Sequence, residues 1–242
     1  MKKVIWSFSL LVMALFLSCR EDDADRFFSG QNDKLIINFS VQDPTSGLAT
    51  RSAIAPEAGE ENVKTLDLFF FESNSTGTGT FKGLKELIAT PENPLVMNTD
   101  MVFDFSDIGL SMTEPYDILI VANMGDNYLP TDGSQTLADW KSVIQRKNYK
   151  EAKAEIQVFM SGTDTNVPEY TTKPLESDAL LMSASLKKGK QDTKLKAVLQ
   201  RAVSRFDIYN LAAGYTIETV SVWNAYPSLF VWNGEPNAFD KD

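Results

Sequence analysis

Short apolar stretches bounded by turn-forming residues are the feature that most constrains how this chain can fold. The first stretch places its apolar side chains at every second position: Leu35, Ile37, Phe39 and Val41. Successive side chains of a β-strand point to opposite faces, so this pattern predicts a strand with one buried face. The other stretches predict further short strands, at residues 63–71, 84–89, 95–105, 116–123, 156–160, 180–186, 195–209 and 216–223.

One segment has helical periodicity instead, at residues 136–147. Its apolar side chains share one helical face: Leu137, Trp140, Val143 and Ile144. Asp139 near the start of this helix, and Arg146 and Lys147 near its end, suit the helix dipole. Short strands dominate, so the sequence predicts a mainly β fold, a β-sandwich with one short helix.

The composition excludes several classes of function. The chain has 242 residues and no histidine, which excludes Ser-His-Asp and Cys-His catalysis and histidine metal sites. A formal net charge of -10 argues against a nucleic-acid partner, which would need a basic face. An enzyme that uses carboxylates alone is still compatible with this composition, and Asp126, Asp132 and Asp164 in loops could bind Ca²⁺. We nevertheless expect neither an enzyme nor a metal protein, and no cofactor apart from the lipid described next.

The N-terminus has the pattern of a lipoprotein signal peptide. Lys2 and Lys3 precede an apolar run over residues 4–18, which is shorter than the roughly 20 residues of a membrane-spanning helix. The run ends at Cys19, the only cysteine of the chain. Residues 1–18 are therefore predicted to be removed, and Cys19 is predicted to carry the lipid.

Two polar segments flank the first strand. Residues 19–33 begin with an acidic stretch and lack apolar periodicity, which predicts a tether. Residues 43–61 form a loop with Pro, Gly and small residues, and Arg51 and Ser52 lie in its middle. An extended loop of this composition is open to proteases, so Arg51–Ser52 is a candidate processing site.

Four segments are similar to the Bacteroidetes-type fimbrillin family. The first comprises the early strand, the Arg51 loop and the strand at 63–71, and the second is the run Ile-Leu-Ile-Val-Ala-Asn at 118–123. The third is a Met-Ser turn, either Leu-Met-Ser-Ala at 181–184 or Phe-Met-Ser-Gly at 159–162, of which the latter matches the family better. The fourth is the stretch from Leu199 to Asp207 that contains Leu-Gln-Arg. The resemblance depends on the order of these segments behind a lipobox, the Phe-Leu-Ser-Cys sequence that ends at Cys19. It covers about residues 19–230.

The resemblance implies a fold and a division into domains. It implies a transthyretin-like Greek-key sandwich over residues 34–215. Residues 216–242 would be the truncated start of a second β domain.

The resemblance also implies a mode of assembly. Such subunits are exported as lipoproteins to the surface of the outer membrane, and an arginine-specific surface protease then cuts the loop after the first strand. The strand with Leu35, Ile37, Phe39 and Val41 leaves, and a strand from another fimbrial subunit fills its place. The implied product is an adhesive cell-surface fimbria.

Two alternatives stay open at this stage. The chain could be a fimbrial anchor that keeps its lipid and is never cut at Arg51. It could also be a glycan-binding surface lipoprotein, in which Trp140, Trp223 and Trp232 stack on sugars.

Overall fold

A curled seven-stranded sheet forms the centre of the molecule. The computed structural model describes residues 33–42, 62–130, 133–159, 179–202, 214–216 and 228–232. Its strands are β1 (Lys34–Val41), β2 (Thr65–Glu72), β3 (Phe81–Ile88), β4 (Asp100–Asp104), β5 (Tyr116–Ala122), β7 (Met182–Lys188) and β8 (Lys194–Arg201). Their order in the sheet is β3-β2-β5-β7-β8-β1-β4.

A helical layer covers one part of this sheet. It contains α1 (Leu137–Gln145), α2 (Tyr149–Glu155) and a small second sheet of β6 (Gln157–Phe159) and β9 (Ser228–Phe230). Helix α1 confirms the helix predicted at 136–147, and Thr136 caps it together with Asp139. The prediction of one short helix was wrong, because a capping box between Asn148 and Glu151 starts α2.

The sheet divides into two halves where β7 and β8 part. Residues 194–199 of β8 lie beside β1, and its last two residues pair with β7, at Met182–Arg201 and Ser183–Gln200. We call β8, β1 and β4 the first-strand half, and β3, β2, β5 and β7 the layered half. The halves face each other across the inner core, as two packed layers of a β fold do.

Two apolar clusters account for the core. The inner cluster lies between the two halves and takes its side chains from β1, β2, β4, β5, β7 and β8. The outer cluster lies between the layered half and the helical layer. Strand β5 is buried at every position because it contributes to both clusters, in agreement with its apolar run at 118–122. Asp117, near its start, is buried as well.

Asn123 fastens the end of β5 to two neighbouring segments. Its backbone is left-handed, with φ 61°, a conformation that asparagine tolerates better than most residues. Its Oδ1 accepts from the backbone N–H of Lys64 at 2.7 Å, and its Nδ2 donates to the carbonyls of Asn62 and Leu180, both at 2.8 Å. The asparagine in the 118–123 run thus ties three chain segments together.

The C-terminal part of the described chain packs onto the same body. Within the range predicted to open a second domain, Val231 is buried in the outer cluster and Trp232 packs against it. Ser183 Oγ also donates to the carbonyl of Val231 at 2.5 Å. The predicted strand at 216–223 lies almost wholly outside the described residues, and the division into domains stays a prediction.

Candidate functional site

The candidate site is the slot that β1 fills in the first-strand half. β1 is antiparallel to β4 from Lys34–Asp104 to Asn38–Asp100, and parallel to β8 from Ile36–Lys194 to Val41–Leu199. It is therefore an internal strand made of the first described residues of the chain. Its two neighbours come from distant parts of the sequence.

The side chains of β1 alternate between core and surface. Leu35, Ile37 and Phe39 are fully buried in the inner cluster, and Val41 packs against it partly buried. The predicted burial of one strand face is confirmed for this segment. The ring of Phe39 meets the ring of Phe103 edge-to-face, with centroids 6.1 Å apart.

Backbone hydrogen bonds hold β1 on both edges. Ile36 donates its N–H to the carbonyl of Thr193 at 2.9 Å, and Gln42 donates to Leu199 at 2.8 Å. On the other side, the carbonyl of Phe39 accepts from the N–H of Asn98 at 2.6 Å. Removing β1 would make β8 an edge strand and would leave β4, already the outermost strand, without a strand partner. Both strands would then carry unpaired backbone groups.

Polar side chains cross over the outer face of β1. Lys194 of β8 forms an ion pair with Asp100 of β4 at 2.6 Å, and Asn38 Nδ2 donates to the same carboxylate at 3.1 Å. The hydrogen bond from Lys194, followed by the one from Asn38, lowers the pKa of Asp100. Lys194 and Asp100 are exposed, so this ion pair contributes little to stability.

A buried lysine closes one end of the inner core. Lys188 is fully buried, and its ammonium donates to the carbonyls of Met112 at 2.5 Å, Gly189 at 2.9 Å and Glu114 at 3.1 Å. Burial lowers its pKa. Three carbonyls match the three donors of an ammonium, so this arrangement has a structural role.

A second buried charge joins the sheet to the helical layer. Asp67 lies on the outer face of β2, and Lys141 of α1 contacts it at 2.8 Å and Glu86 at 2.5 Å. Burial raises the pKa of Asp67, although the hydrogen bond from Lys141 opposes this. Burial alone would lower the pKa of Lys141, but its bonds to Asp67 and Glu86 raise it overall. Because Lys141 lies between two carboxylates, the group serves to attach α1.

Two of the three candidate sugar-binding tryptophans belong to the outer cluster. Trp140 is 2% exposed and stacks on the partly buried Trp232, with centroids 6.5 Å apart. The indole N–H of Trp140 donates to the carbonyl of Gln157, and that of Trp232 donates to Ile120. Packing and hydrogen bonding therefore occupy these two rings, while Trp223 lies outside the described residues.

The other predicted site residues fall outside the described ranges. Cys19, Arg51 and Ser52 belong to this group, so lipidation and cleavage stay predictions. Among the residues that the structure describes, no three acidic or cysteine side chains are grouped to hold a metal ion. No helix within those residues is long and apolar enough to span a bilayer.

Sequence reasoning missed the residues that shape the slot from the opposite side. Ala197 and Leu199 of β8 are fully buried in the inner cluster, and Phe103 of β4 is nearly so. The alternation in Lys194–Arg201 could have indicated the inward positions of β8. It could not have indicated that β8 lies beside β1.

The comparisons with known proteins yield distant structural likenesses only. No protein-family model and no curated protein matches the chain. A fimbrial assembly protein from Parabacteroides distasonis aligns with 11% identity and a TM-score of 0.42, over 82% of this chain and 64% of that one. Two proteins from Porphyromonas gingivalis also align. The tip fimbrial protein Mfa3, solved with a C-terminal truncation, has 16% identity, a TM-score of 0.37 and coverage of 70% and 48%. The fimbrial anchor protein Mfa2 has 13% identity, a TM-score of 0.36 and coverage of 69% and 49%.

This chain therefore spans between 48% and 64% of the length of these three proteins. The TM-scores are all below 0.5, so the likenesses are too distant to assign a function to this chain.

Proposed function

We propose that this protein is a structural subunit of a cell-surface fimbria, assembled by protease-triggered donor-strand exchange. The observation that carries the proposal is the place of β1, an internal strand with one fully buried face at the start of the described chain. Such a strand can be given up in one piece once the chain behind it is cut. The partners are other fimbrial subunits.

The free energy of the β1 contacts is large enough to drive assembly. Three fully buried side chains contribute about 4.5–9 kcal/mol, at roughly 1.5–3 kcal/mol each. A typical domain is stable by only about 5–15 kcal/mol, so losing β1 would remove much of its stability. An emptied slot has two unpaired edges and an apolar floor. A strand from a neighbouring subunit with alternating apolar residues would fill it.

The sequence in front of β1 supports export to the cell surface. We propose that Cys19 carries the lipid that holds the subunit in the outer membrane, and that the acidic start of the tether at 19–33 accompanies surface export. An arginine-specific surface protease would then cut between Arg51 and Ser52. That single cut separates both the lipid anchor and β1 from the rest of the chain.

N-terminal sequencing of the surface-assembled protein tests this proposal. We expect the wild-type protein to start at Ser52. Arg51→Ala and the charge-conserving Arg51→Lys should both stay uncut and fail to polymerise. The matched control is Arg146→Lys, which changes an exposed arginine next to α1 and should leave processing unchanged. Assembled protein that starts only at lipidated Cys19 would contradict the proposal and identify an anchor instead.

The glycan-binding alternative has less support. It depends on tryptophan faces that are free to stack on sugars. Trp140 and Trp232 stack on each other, and the ring of Phe69 meets both of them edge-to-face. No described feature favours this alternative over a fimbrial subunit.

A further inference from the structure

Alternating apolar residues determine which face of a strand is buried. They do not determine the register in which the strand pairs with the two sides of the slot. A shift of one residue turns the apolar side chains outward. A shift of two residues keeps every apolar side chain facing the core. A slot that accepts strands from other subunits therefore needs another feature to fix the register.

The inward side chains of β8 differ in size, and β1 matches them. Ile37 lies opposite Leu195, Phe39 opposite Ala197, and Val41 opposite Leu199. The largest inward side chain of β1 thus faces the smallest of β8. Phe39 and Ala197 are both fully buried. A small side chain opposite Phe39 leaves room in the core for an aromatic ring.

The other side of this space is aromatic. Phe103 of β4 lies opposite Leu35 in the strand register, and its ring reaches the ring of Phe39 edge-to-face. Ala197 and Phe103 therefore enclose Phe39 from two different strands. We call the space between them the Phe39 pocket.

We propose that the Phe39 pocket fixes the register of whichever strand occupies the slot. The strand supplied by a neighbouring subunit would carry one aromatic residue that faces Ala197. It would carry aliphatic residues two positions before and after this aromatic residue. This inference rests on the proposed strand exchange and adds to it the chemistry of the donor segment.

A two-residue shift is unfavourable for reasons of volume. It would place an aromatic ring against Leu195 or Leu199, where the added volume overpacks the core. The same shift would leave a cavity beside Ala197, since Ile37 or Val41 would face it and would fill less of the pocket than the phenylalanine ring. Each such shift moves the donor by about 6.6 Å along the slot, at about 3.3 Å per residue. The pocket would therefore also determine the spacing between subunits.

Peptide binding to the cut, full-length chain tests the inference. A specific protease site replaces residues 48–54, the chain is cut there, and the N-terminal fragment is exchanged for labelled peptides in mild urea. One peptide has the sequence of residues 34–42. The other has the same composition with Ile37→Phe and Phe39→Ile, so that the aromatic residue faces Leu195. Fluorescence anisotropy measures the affinity of each peptide, and the uncut chain is the control.

We expect the native-order peptide to bind at least about tenfold more tightly than the exchanged one, the ratio that corresponds to typical overpacking. Equal affinities would overturn the register inference and leave strand exchange intact. No binding by either peptide would overturn the proposed exchange, and the register inference with it. The two failures are therefore distinguishable.

A variant of the pocket gives an independent outcome. Ala197→Leu fills the space, so the chain should lose its preference for the native-order peptide. It should instead prefer a peptide with Phe39→Ala. An unchanged preference for the native order would contradict a role for Ala197. The wild-type comparison stands even where Ala197→Leu does not fold, because it needs no change in the slot.

Discussion

The two halves of the sheet are built from apolar sequences of different kinds. β5 in the layered half is buried at all its positions, because the inner core lies on one face and the helical layer on the other. β1 in the first-strand half alternates, with buried residues between partly buried ones. Removing β5 would disrupt two apolar clusters, whereas removing β1 would disrupt one.

Under the proposed strand exchange, this difference indicates which part of the molecule would be exchanged. The layered half is joined to its helices by apolar packing, by the Asp67–Lys141 ion pair and by the tryptophan stack. By contrast, the ion pair between Lys194 and Asp100, which crosses β1, is exposed. The layered half is therefore expected to stay folded as the acceptor while β1 is exchanged.

The largest expected effect is the loss of β1 itself. Cutting the loop at 43–61 and removing β1 should lower the free energy of unfolding by about 4.5–9 kcal/mol, from three buried side chains at roughly 1.5–3 kcal/mol each. Excess peptide of residues 34–42 should restore it, as measured by urea unfolding.

Phe69→Ala in the layered half is the matched control. It should cost about 3–5 kcal/mol, and the same peptide should not restore this loss. A peptide that restored both losses, or neither, would abolish the distinction between the halves.

The next effect concerns the ion pair beneath α1. Lys141→Met would leave Asp67 buried without its cation, at an expected cost of about 3–5 kcal/mol. The double variant Asp67→Leu with Lys141→Met should recover most of this, because it removes both buried charges. A double variant as unstable as Lys141→Met would show that Asp67 is not desolvated, contrary to its burial.

Some elements of the fold could be predicted from local sequence patterns. The period of two in β1, the apolar run at 118–122 in β5, and the capped apolar face of α1 are local signals, and the structure has all three elements. α2 was missed because its seven residues are too few to show a helical period, and only its capping box marks it. The strand at 195–209 is described only as far as Arg201.

The slot was less predictable than the strand that fills it. Alternation identified the inward side chains of β1 from neighbouring residues alone. The role of Ala197 depends on its pairing with Phe39, which is remote in sequence and parallel. The residues next to Ala197 in the sequence do not indicate that it pairs with Phe39. Pairing between distant strands is decided by the whole fold.

A smaller effect is expected at Asn123, which fastens β5. Asn123→Ala should cost about 1–3 kcal/mol for the polar groups left without partners. It should cost about 1–2 kcal/mol more than Asn123→Gly, because alanine is disfavoured in the left-handed conformation. Thermal unfolding measures both variants, and equal losses would contradict strain at this position.

The smallest effect is a difference in pH dependence between the halves. Burial raises the pKa of Asp67, so its contribution to stability is present below the unfolded pKa and is lost as pH rises through the folded pKa. Hydrogen bonds lower the pKa of Asp100, so its contribution is present above the unfolded pKa and is lost as pH falls through the folded pKa.

Relative to wild type, Asp67→Asn should therefore gain stability as pH rises above about 4, the usual range of an aspartate. Asp100→Asn should lose relative stability as pH rises towards that value. Urea unfolding across the acid range measures the stability of each variant relative to wild type. If both relative stabilities changed with pH in the same direction, the opposite pKa shifts of Asp67 and Asp100 would be contradicted.

Hydrogen exchange on the cut chain after removal of β1 tests the central claim most directly. The account predicts that backbone amides of β4 and β8 lose protection, while those of β2 and β5 stay protected. It also predicts that the peptide of residues 34–42 restores protection in β4 and β8. Loss of protection throughout the sheet on removal of β1 would contradict the account, because β1 would then be a permanent part of a single cooperative unit.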